Sequence, residues 1–233
     1  MIKIGIMQPY FFPYLGYWQL INAVDKYVVY DDVNYIKGGW IARNNILLNG
    51  REHLLTLPLI APSPNKLIKD IPITRDSIAR KKIIKNLNAA YSKAPYYNKI
   101  MPIIERLILN SVTIAECNYQ SIIDIGNYLG IKTEIILSSQ LEKNNELKGE
   151  EKVLHIVKLL NGDCYYNTIA GKHLYSQDDF KKVNIQLKFL KMIGTEYKQY
   201  ENEFVSNLSI IDTLMFNDIA KIQTMLENYE LID

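Results

Sequence analysis

Two neighbouring carboxylates, Asp31 and Asp32, close a short apolar run, Tyr27 to Tyr30, that reads as a β-strand. Paired acids at a strand end suit a divalent cation such as Mg²⁺, or the hydroxyls of a sugar. Paired acids are also common in plain turns. A glycine-bearing loop follows, in which Lys37 and Arg43 flank Trp40. A guanidinium beside an aromatic ring suits a phosphate or carboxylate carried by a stacked ring, although a solvated basic loop looks the same. His173 follows Gly171 and Lys172 in a loop after another strand, where Lys172 or His173 would close a site from the second half of the chain. These five groups, Asp31, Asp32, Lys37, Arg43 and His173, are the candidates for chemistry.

The candidates for binding begin at Gln8. The ten residues Gln8, Pro9, Tyr10, Phe11, Phe12, Pro13, Tyr14, Leu15, Gly16 and Tyr17 contain two prolines, one glycine and five aromatic residues. A turn needs one proline or glycine. A segment this stiff and this aromatic reads as the wall of a site, with Gln8, Pro9, Tyr10, Tyr14, Gly16 and Tyr17 facing a ligand. It follows the alternating start Ile2, Ile4, Ile6, which reads as a strand, and precedes a helical stretch from Tyr17 to Val24. With the strand Tyr27 to Tyr30 this makes a βαβ unit, and such sheets bind ligands outside the carboxyl ends of their strands.

The remaining candidates weigh toward structure. His53 lies in a hairpin strand and reads as cross-strand packing, and His155 lies on an apolar helix face. Three scattered histidines make no zinc site. Glu150 and Glu151 begin a helix, where acids complement the dipole. Asp212 either packs in a core or points back toward the site, with packing favoured. No Gly-x-Ser-x-Gly, Walker-type loop or paired cysteine spacing occurs.

The elements that must position these groups follow from pattern. Asn45 to Leu48, Asn49-Gly50 and Glu52 to Leu57 read as a β-hairpin. Pro58, Pro62 and Pro64 mark an irregular connection, and Lys69 to Ile73 reads as a short strand. Helices are expected from Ser77 to Tyr91 and from Tyr97 to Leu109. A third, capped by Thr113 or Asn118, stops at Gly130. Thr133 to Ser138 reads as a buried strand, Glu150 to Leu160 as a helix ended by Gly162, and Asp163 to Asn167 and Ile185 to Leu190 as strands. Leu208 to Leu214 and Ala220 to Leu231 read as helices. Strands alternate with helices, so the expected class is α/β, a mostly parallel sheet of nucleotide-binding type with an inserted hairpin and a helical section.

Composition sets the limits. The chain has 233 residues, 48% hydrophobic, which is enough for one sizeable core and is read as a single domain over 1–233. The net charge is +2, so nucleic acid is disfavoured. The charge is nonetheless uneven: Lys66 to Arg106 carries ten basic and three acidic residues, and Glu196 to Asp233 two basic and eight acidic. The basic middle suits an anionic partner such as a nucleotide or sugar nucleotide, or is a solvated face. No apolar run is long enough to span a bilayer. The start reads as a strand rather than a signal peptide, and Cys117 and Cys164 are too few for a disulfide framework, so a cytoplasmic location is expected. A homodimer is compatible with the sequence.

Two resemblances sharpen this reading. Tyr14-Leu15-Gly16-Tyr17 sits where nucleotidylyltransferases of the class that includes pantetheine-phosphate adenylyltransferases carry His-x-Gly-His at the start of a helix. Both histidines are tyrosines here, so the resemblance extends to architecture and a phosphate-accepting helix start but lacks the catalytic half. More broadly, residues 8–17, the run Tyr-Asp-Asp-Val-Asn-Tyr-Ile-Lys at 30–37, Arg43-Asn44-Asn45-Ile46, Tyr96-Tyr97, Tyr165-Tyr166-Asn167 with Gly171, Leu174-Tyr175, and Leu208 to Asp212 resemble the WbqC-like proteins. That resemblance covers nearly the whole chain. Many such proteins have His before the Gln-Pro, where this chain has Met7. The resemblance implies surface-polysaccharide (O-antigen) biosynthesis and adds Tyr35, Asn44, Tyr166, Asn167, Gly171 and Lys172 to the substrate-binding candidates. The expected activity is a transferase acting on a nucleotide-activated amino sugar, with aminoacylation of its amine by an ATP-activated amino acid, and with Mg²⁺ and ATP as the cofactors implied. A non-catalytic sugar-nucleotide-binding protein and a degenerate nucleotidylyltransferase are the alternatives.

Overall fold

A computed structural model describes residues 1–201 and 203–233. Six strands form one sheet in the order β5-β2-β1-β6-β7-β8, and two form a separate hairpin. In chain order these are β1 (Lys3–Met7), β2 (Lys26–Val29), the hairpin strands β3 (Arg43–Leu48) and β4 (Arg51–Thr56), β5 (Glu134–Leu137), β6 (Cys164–Thr168), β7 (Gln186–Met192) and β8 (Tyr229–Ile232). The helices are α1 (Leu15–Ala23), α2 (Ser77–Tyr91), α3 (Tyr97–Asn110), α4 (Ile114–Leu129), α5 (Gly149–Leu159), α6 (Gln177–Lys182), α7 (Ile210–Phe216) and α8 (Ile219–Glu227). The first five strands of the sheet run parallel, and only β8 pairs antiparallel, to β7. The chain works outward from β1 to β2 and β5, then returns to the other side of β1 as β6. The order therefore reverses between β1 and β6, where open α/β sheets leave a crevice at the carboxyl ends of the strands.

Both faces of the sheet are buried. One face, with Tyr17, Trp18 and Tyr27, joins α1, α4, α7, α8 and the hairpin in the larger core. On the other face Ile4, Ile6, Val28 and Tyr165 pack against Val153, Ile156 and Val157 of α5 and Phe180 of α6. At the turn into β6, Gly162 leaves no room for a side chain. An added Cβ would lie 2.5 Å from Ile4 Cγ1 and 2.8 Å from Val157 Cγ1.

Local signals act as expected in several elements. Asn49 and Gly50 both take positive φ, 53° and 71°, which a two-residue hairpin turn requires. Thr113, not Asn118, caps α4, in a reciprocal box with Glu116. Gly130 ends that helix at φ 75°. Elsewhere the structure corrects the sequence reading. Lys69 to Ile73 is no strand: a 3₁₀ turn spans Ile68–Asp70, and Ile73 and Pro72 make only isolated bridges to Leu59 and Thr113. Pro72 has no N–H to extend a ladder. The Thr133 to Ser138 segment is an edge strand with partly exposed side chains rather than a buried one. Helical order in Ala220 to Leu231 stops at Glu227, and Tyr229–Ile232 forms β8, with Leu231 opposite Leu190. Residues 169–174, read as a loop, form a 3₁₀ turn, and α6 was too short to leave a periodic signal.

The contacts around Gly162 carry a prediction. Gly162→Ala lowers unfolding stability by about 1–3 kcal/mol, the ordinary cost of overpacking a filled core. Urea denaturation measures it, and unchanged stability would show that Ile4 and Val157 yield freely.

Candidate functional site

The loop from Gln8 to Tyr14 leaves β1 at its carboxyl end and is held almost entirely through its carbonyls. Tyr17 Oη donates to Gln8 O at 2.9 Å. Asn118 Nδ2, from the middle of α4, donates to Pro9 O and Ile41 O, both at 2.9 Å. Asn44 Nδ2 donates to Phe11 O and Phe12 O at 3.0 and 2.8 Å. Ser209 Oγ donates to Phe12 O at 2.7 Å, and Trp18 Nε1 to Pro13 O at 3.1 Å. Phe11 and Phe12 are buried, and Phe12 takes φ 42°. A phenylalanine persists in that left-handed conformation only where its surroundings over-determine it.

This bracing fixes one wall of a cleft of about 270 Å³ lined by Tyr10, Pro13, Tyr14, Trp40, Asn44 and Asn207. Three chain segments far apart in sequence meet here. Among the described residues no charged side chain lines the cleft. Trp40 is 43% exposed, and the Arg43 guanidinium lies 5.9 Å from its ring centroid. Arg43 Nη2 also donates to Gly38 O. The Tyr10 ring packs on Tyr17 at 5.5 Å. Burial raises the pKa of Tyr10, and burial with the neighbouring Tyr10 raises that of Tyr14, so both stay neutral hydroxyls. Gly16 serves Tyr14: an added Cβ would lie 2.6 Å from Tyr14 Cε2. The Tyr14 ring therefore fills the space at the start of α1.

The two acids after β2 are engaged elsewhere. Asp31 accepts from Ser139 N at 2.9 Å and Ser139 Oγ at 2.6 Å. Asp32 Oδ2 meets Lys143 Nζ at 2.8 Å and Lys152 Nζ at 3.2 Å. The Lys152 ammonium also lies 5.2 Å from the Tyr30 ring. Burial opposes ionisation of Asp32, but the hydrogen bond from Lys143 and the charges of Lys152 and Lys143 outweigh it, and its carboxyl titrates below the usual range. A Mg²⁺ ion bound at Asp32 Oδ2 would have to displace two ammonium groups. Among the described residues no group of three His, Cys, Asp or Glu is placed to hold a metal. Lys143 and Lys152 lie more than a hundred residues from Asp32, and no local pattern marked them as its partners.

On the same face of the sheet, Asn167 Nδ2 donates to Tyr165 Oη at 3.1 Å, which donates to Tyr175 Oη at 3.1 Å. Gly171 packs against the Asn167 amide, where a Cβ would come within 2.9 Å of Nδ2. Tyr166 points to the opposite face and joins the larger core. Lys172 reaches the C-terminal Asp233 carbonyl and lies 5.7 Å from the Phe189 ring, and His173 is exposed. Lys37 is exposed, while Tyr35 is buried and its N–H donates to Lys66 O at 2.9 Å. Of the sequence candidates, then, Tyr10, Tyr14, Trp40 and Asn44 line one cleft with Arg43 at its edge. Asp31, Asp32, Asn167 and Gly171 belong to packed networks at neighbouring strand ends. Sequence pattern missed Asn207, which lines the cleft, and the bracing roles of Asn118 and Ser209.

Asp212 resolves toward packing. It is buried, and its carboxylate accepts from Tyr91 Oη at 3.0 Å, Tyr197 Oη at 2.7 Å and Gln199 Nε2 at 2.6 Å. Burial pushes its pKa up to about 6, against the lowering effect of those three bonds.

Comparison with known proteins fits this geometry to a family. The model of the WbqC-like protein family matches residues 8–224, which spans the aromatic loop, the cleft and the sheet strands β2, β5, β6 and β7. The chain is also similar to Uncharacterized protein Rv1507c of Mycobacterium tuberculosis, at 25% identity over 221 residues, covering 93% of this chain and 94% of the relative.

Two predictions follow from the buried charges. Asp32→Asn leaves Lys143 and Lys152 without their carboxylate and costs about 3–5 kcal/mol in chemical denaturation. A loss within error of zero would show that the lysines reach solvent. For Asp212 the folded pKa is raised, so its contribution to stability is complete below about pH 4 and is lost as pH rises through about 6. The stability of the wild type relative to Asp212→Asn should therefore fall by roughly 3 kcal/mol between about pH 4 and pH 7. A flat difference across that range would place the carboxyl at its ordinary value.

Proposed function

Because the chain belongs to the WbqC-like protein family, we propose that it is a transferase of surface-polysaccharide biosynthesis whose cleft between Tyr10, Tyr14, Trp40 and Asn207 holds a nucleotide-activated amino sugar. The observation that carries this reading is the cleft itself: aromatic and amide walls, no lining charge, and one guanidinium at the Trp40 edge. Aromatic faces take the apolar face of a pyranose or a base, and neutral tyrosine hydroxyls and amides can answer its hydroxyls. Arg43 offers its planar donors to a phosphate oxygen.

The transferred group is an amino-acyl group activated by ATP. The sugar amine forms the new C–N bond as the acyl carbon releases its phosphate-linked oxygen, which leaves with the bonding electron pair, and the amine proton passes to solvent. Mg²⁺ would enter with the nucleotide, since Asp31 and Asp32 are already engaged. A protein-bound thioester does not fit, because burial pushes the Cys117 thiol up to about 12 and also raises that of Cys164. The chemistry assigned to the chain is therefore positioning and charge stabilisation.

One observation supports a second reading, a non-catalytic sugar-nucleotide-binding protein. Among the described residues the cleft is lined by no acid, histidine or lysine, and burial raises the pKa values of its two tyrosines further. Thermal shift and calorimetry with UDP- and dTDP-linked amino sugars test both. Binding should weaken by about 1–3 kcal/mol in Trp40→Ala, the usual worth of a stacked ring, and should also weaken in Arg43→Ala. Amino-acid-dependent release of pyrophosphate or ADP in the presence of the bound sugar supports transfer. Tight binding with no turnover supports the accessory reading, and no binding of any sugar nucleotide sinks both.

A further inference from the structure

A second cleft lies well away from the aromatic loop, where the connection before α2 meets the end of α3. It has a volume of about 480 Å³, and Arg75, Ser77, Arg80, Leu109, Ile60 and Val112 are among its lining residues. Its rim is apolar in an unusual way. Ile60 is 46% exposed, Val112 56%, and Ile78, next to Ser77 in the first turn of α2, 77%. Two exposed aliphatic side chains line the cleft and Ile78 stands open on the adjoining turn of α2, which together give this face an apolar character.

The charges around that rim are predominantly basic. Ile78, Lys81, Lys82 and Lys85 follow helical spacing, and all four are exposed, so α2 presents an isoleucine and three lysines on its outer face. No acidic residue occurs within α2. Arg80 is only 7% exposed, and its guanidinium is held by carbonyls: Nε donates to Thr74 O at 2.6 Å, and Nη1 to Ile108 O at 3.0 Å and Leu109 O at 2.8 Å. Among the described residues, Arg75, Arg80, Lys81, Lys82 and Lys85 form no ion pair with a carboxylate. The nearby acids are committed to helix starts, Asp76 to Ile78 N and Glu116 to Val112 N and Thr113 N.

We infer that this face docks the protein on an anionic phospholipid surface, with Ile60, Ile78 and Val112 entering the interface and Arg75 and the α2 lysines meeting lipid phosphates. An interfacial helix combines a basic flank with a few inserting apolar side chains. Cations close to an anionic leaflet add attraction that salt weakens. The attachment is peripheral, as no helix among the described residues is long and apolar enough to cross a membrane. The surface is separate from the aromatic cleft, so the inference stands whether or not that cleft binds a sugar nucleotide.

Vesicle co-sedimentation of the full chain tests it. The protein should sediment with phosphatidylcholine vesicles that contain phosphatidylglycerol and not with phosphatidylcholine alone. Ile78→Glu and Val112→Glu should each weaken that binding at least roughly tenfold, and Lys81→Glu with Lys82→Glu should weaken it in a salt-dependent way. Both apolar positions are exposed, so circular dichroism melting of these variants should match the wild type. Failure to bind anionic vesicles overturns the inference. So does Ile78→Glu binding like the wild type, or displacement of the protein from vesicles by a short RNA that it prefers.

Discussion

The fold turns on the need to satisfy the buried carbonyls of a loop that cannot satisfy itself. Residues 8–14 carry two prolines, so the segment is short of N–H groups and can enter neither a helix nor a sheet ladder. Its carbonyls are nonetheless in the interior, where an unpaired one costs about 1–3 kcal/mol. The donors come from everywhere else: Tyr17 and Trp18 of α1, Asn44 of β3, Asn118 of α4 and Ser209 before α7. Helix, hairpin and sheet are tied to one another because each is tied to this loop. Removing any one donor loosens the loop and also the element that supplied it.

That constraint explains why some of the molecule was legible and some was not. The strand-loop-helix-strand start, the Asn-Gly hairpin and the end of α4 at Gly130 are written in residues that act on their own neighbours. The bracing amides are not. Asn118 sits mid-helix, where sequence alone suggests a cap, and its real partners are Pro9 and Ile41, 109 and 77 residues away. Lys143 and Lys152 carry no local signal of their partner, and only the fold sets them on Asp32. β8 failed for a different reason. Tyr229 to Ile232 follows α8 with a single residue between them, and only pairing with β7 decides that the chain is extended there.

The same logic separates two kinds of charge. The lysines beside Asp32 are almost withdrawn from water, 1% and 7% exposed at the side chain. They lock the segment after β2 to the start of α5 and have little freedom to follow a ligand. Lys81, Lys82 and Lys85 of α2 are open to solvent and, among the described residues, form no ion pair. A buried pair contributes position, whereas exposed cations of one sign contribute a field. Counting Lys and Arg along the chain cannot tell these apart, and net charge hides both.

Gly16 shows how a glycine at a helix start can serve packing. A glycine at the start of a helix leaves the backbone N–H groups open to a phosphate. Here the freed volume is taken by the Tyr14 ring, which also forms a wall of the cleft. Tyr14 and Tyr17 therefore supply two fixed rings, one lining the cleft and one bracing Gln8 O beneath Tyr10. The surface that results is rigid, uncharged and aromatic. Under the proposed function such a surface would select a ligand by shape and by its apolar face, with an anion met at the edge, where the Arg43 guanidinium lies 5.9 Å from the Trp40 ring centroid. A wall held by this many carbonyl bonds has little conformational freedom left to lose on binding, so whatever affinity it has comes from preorganisation.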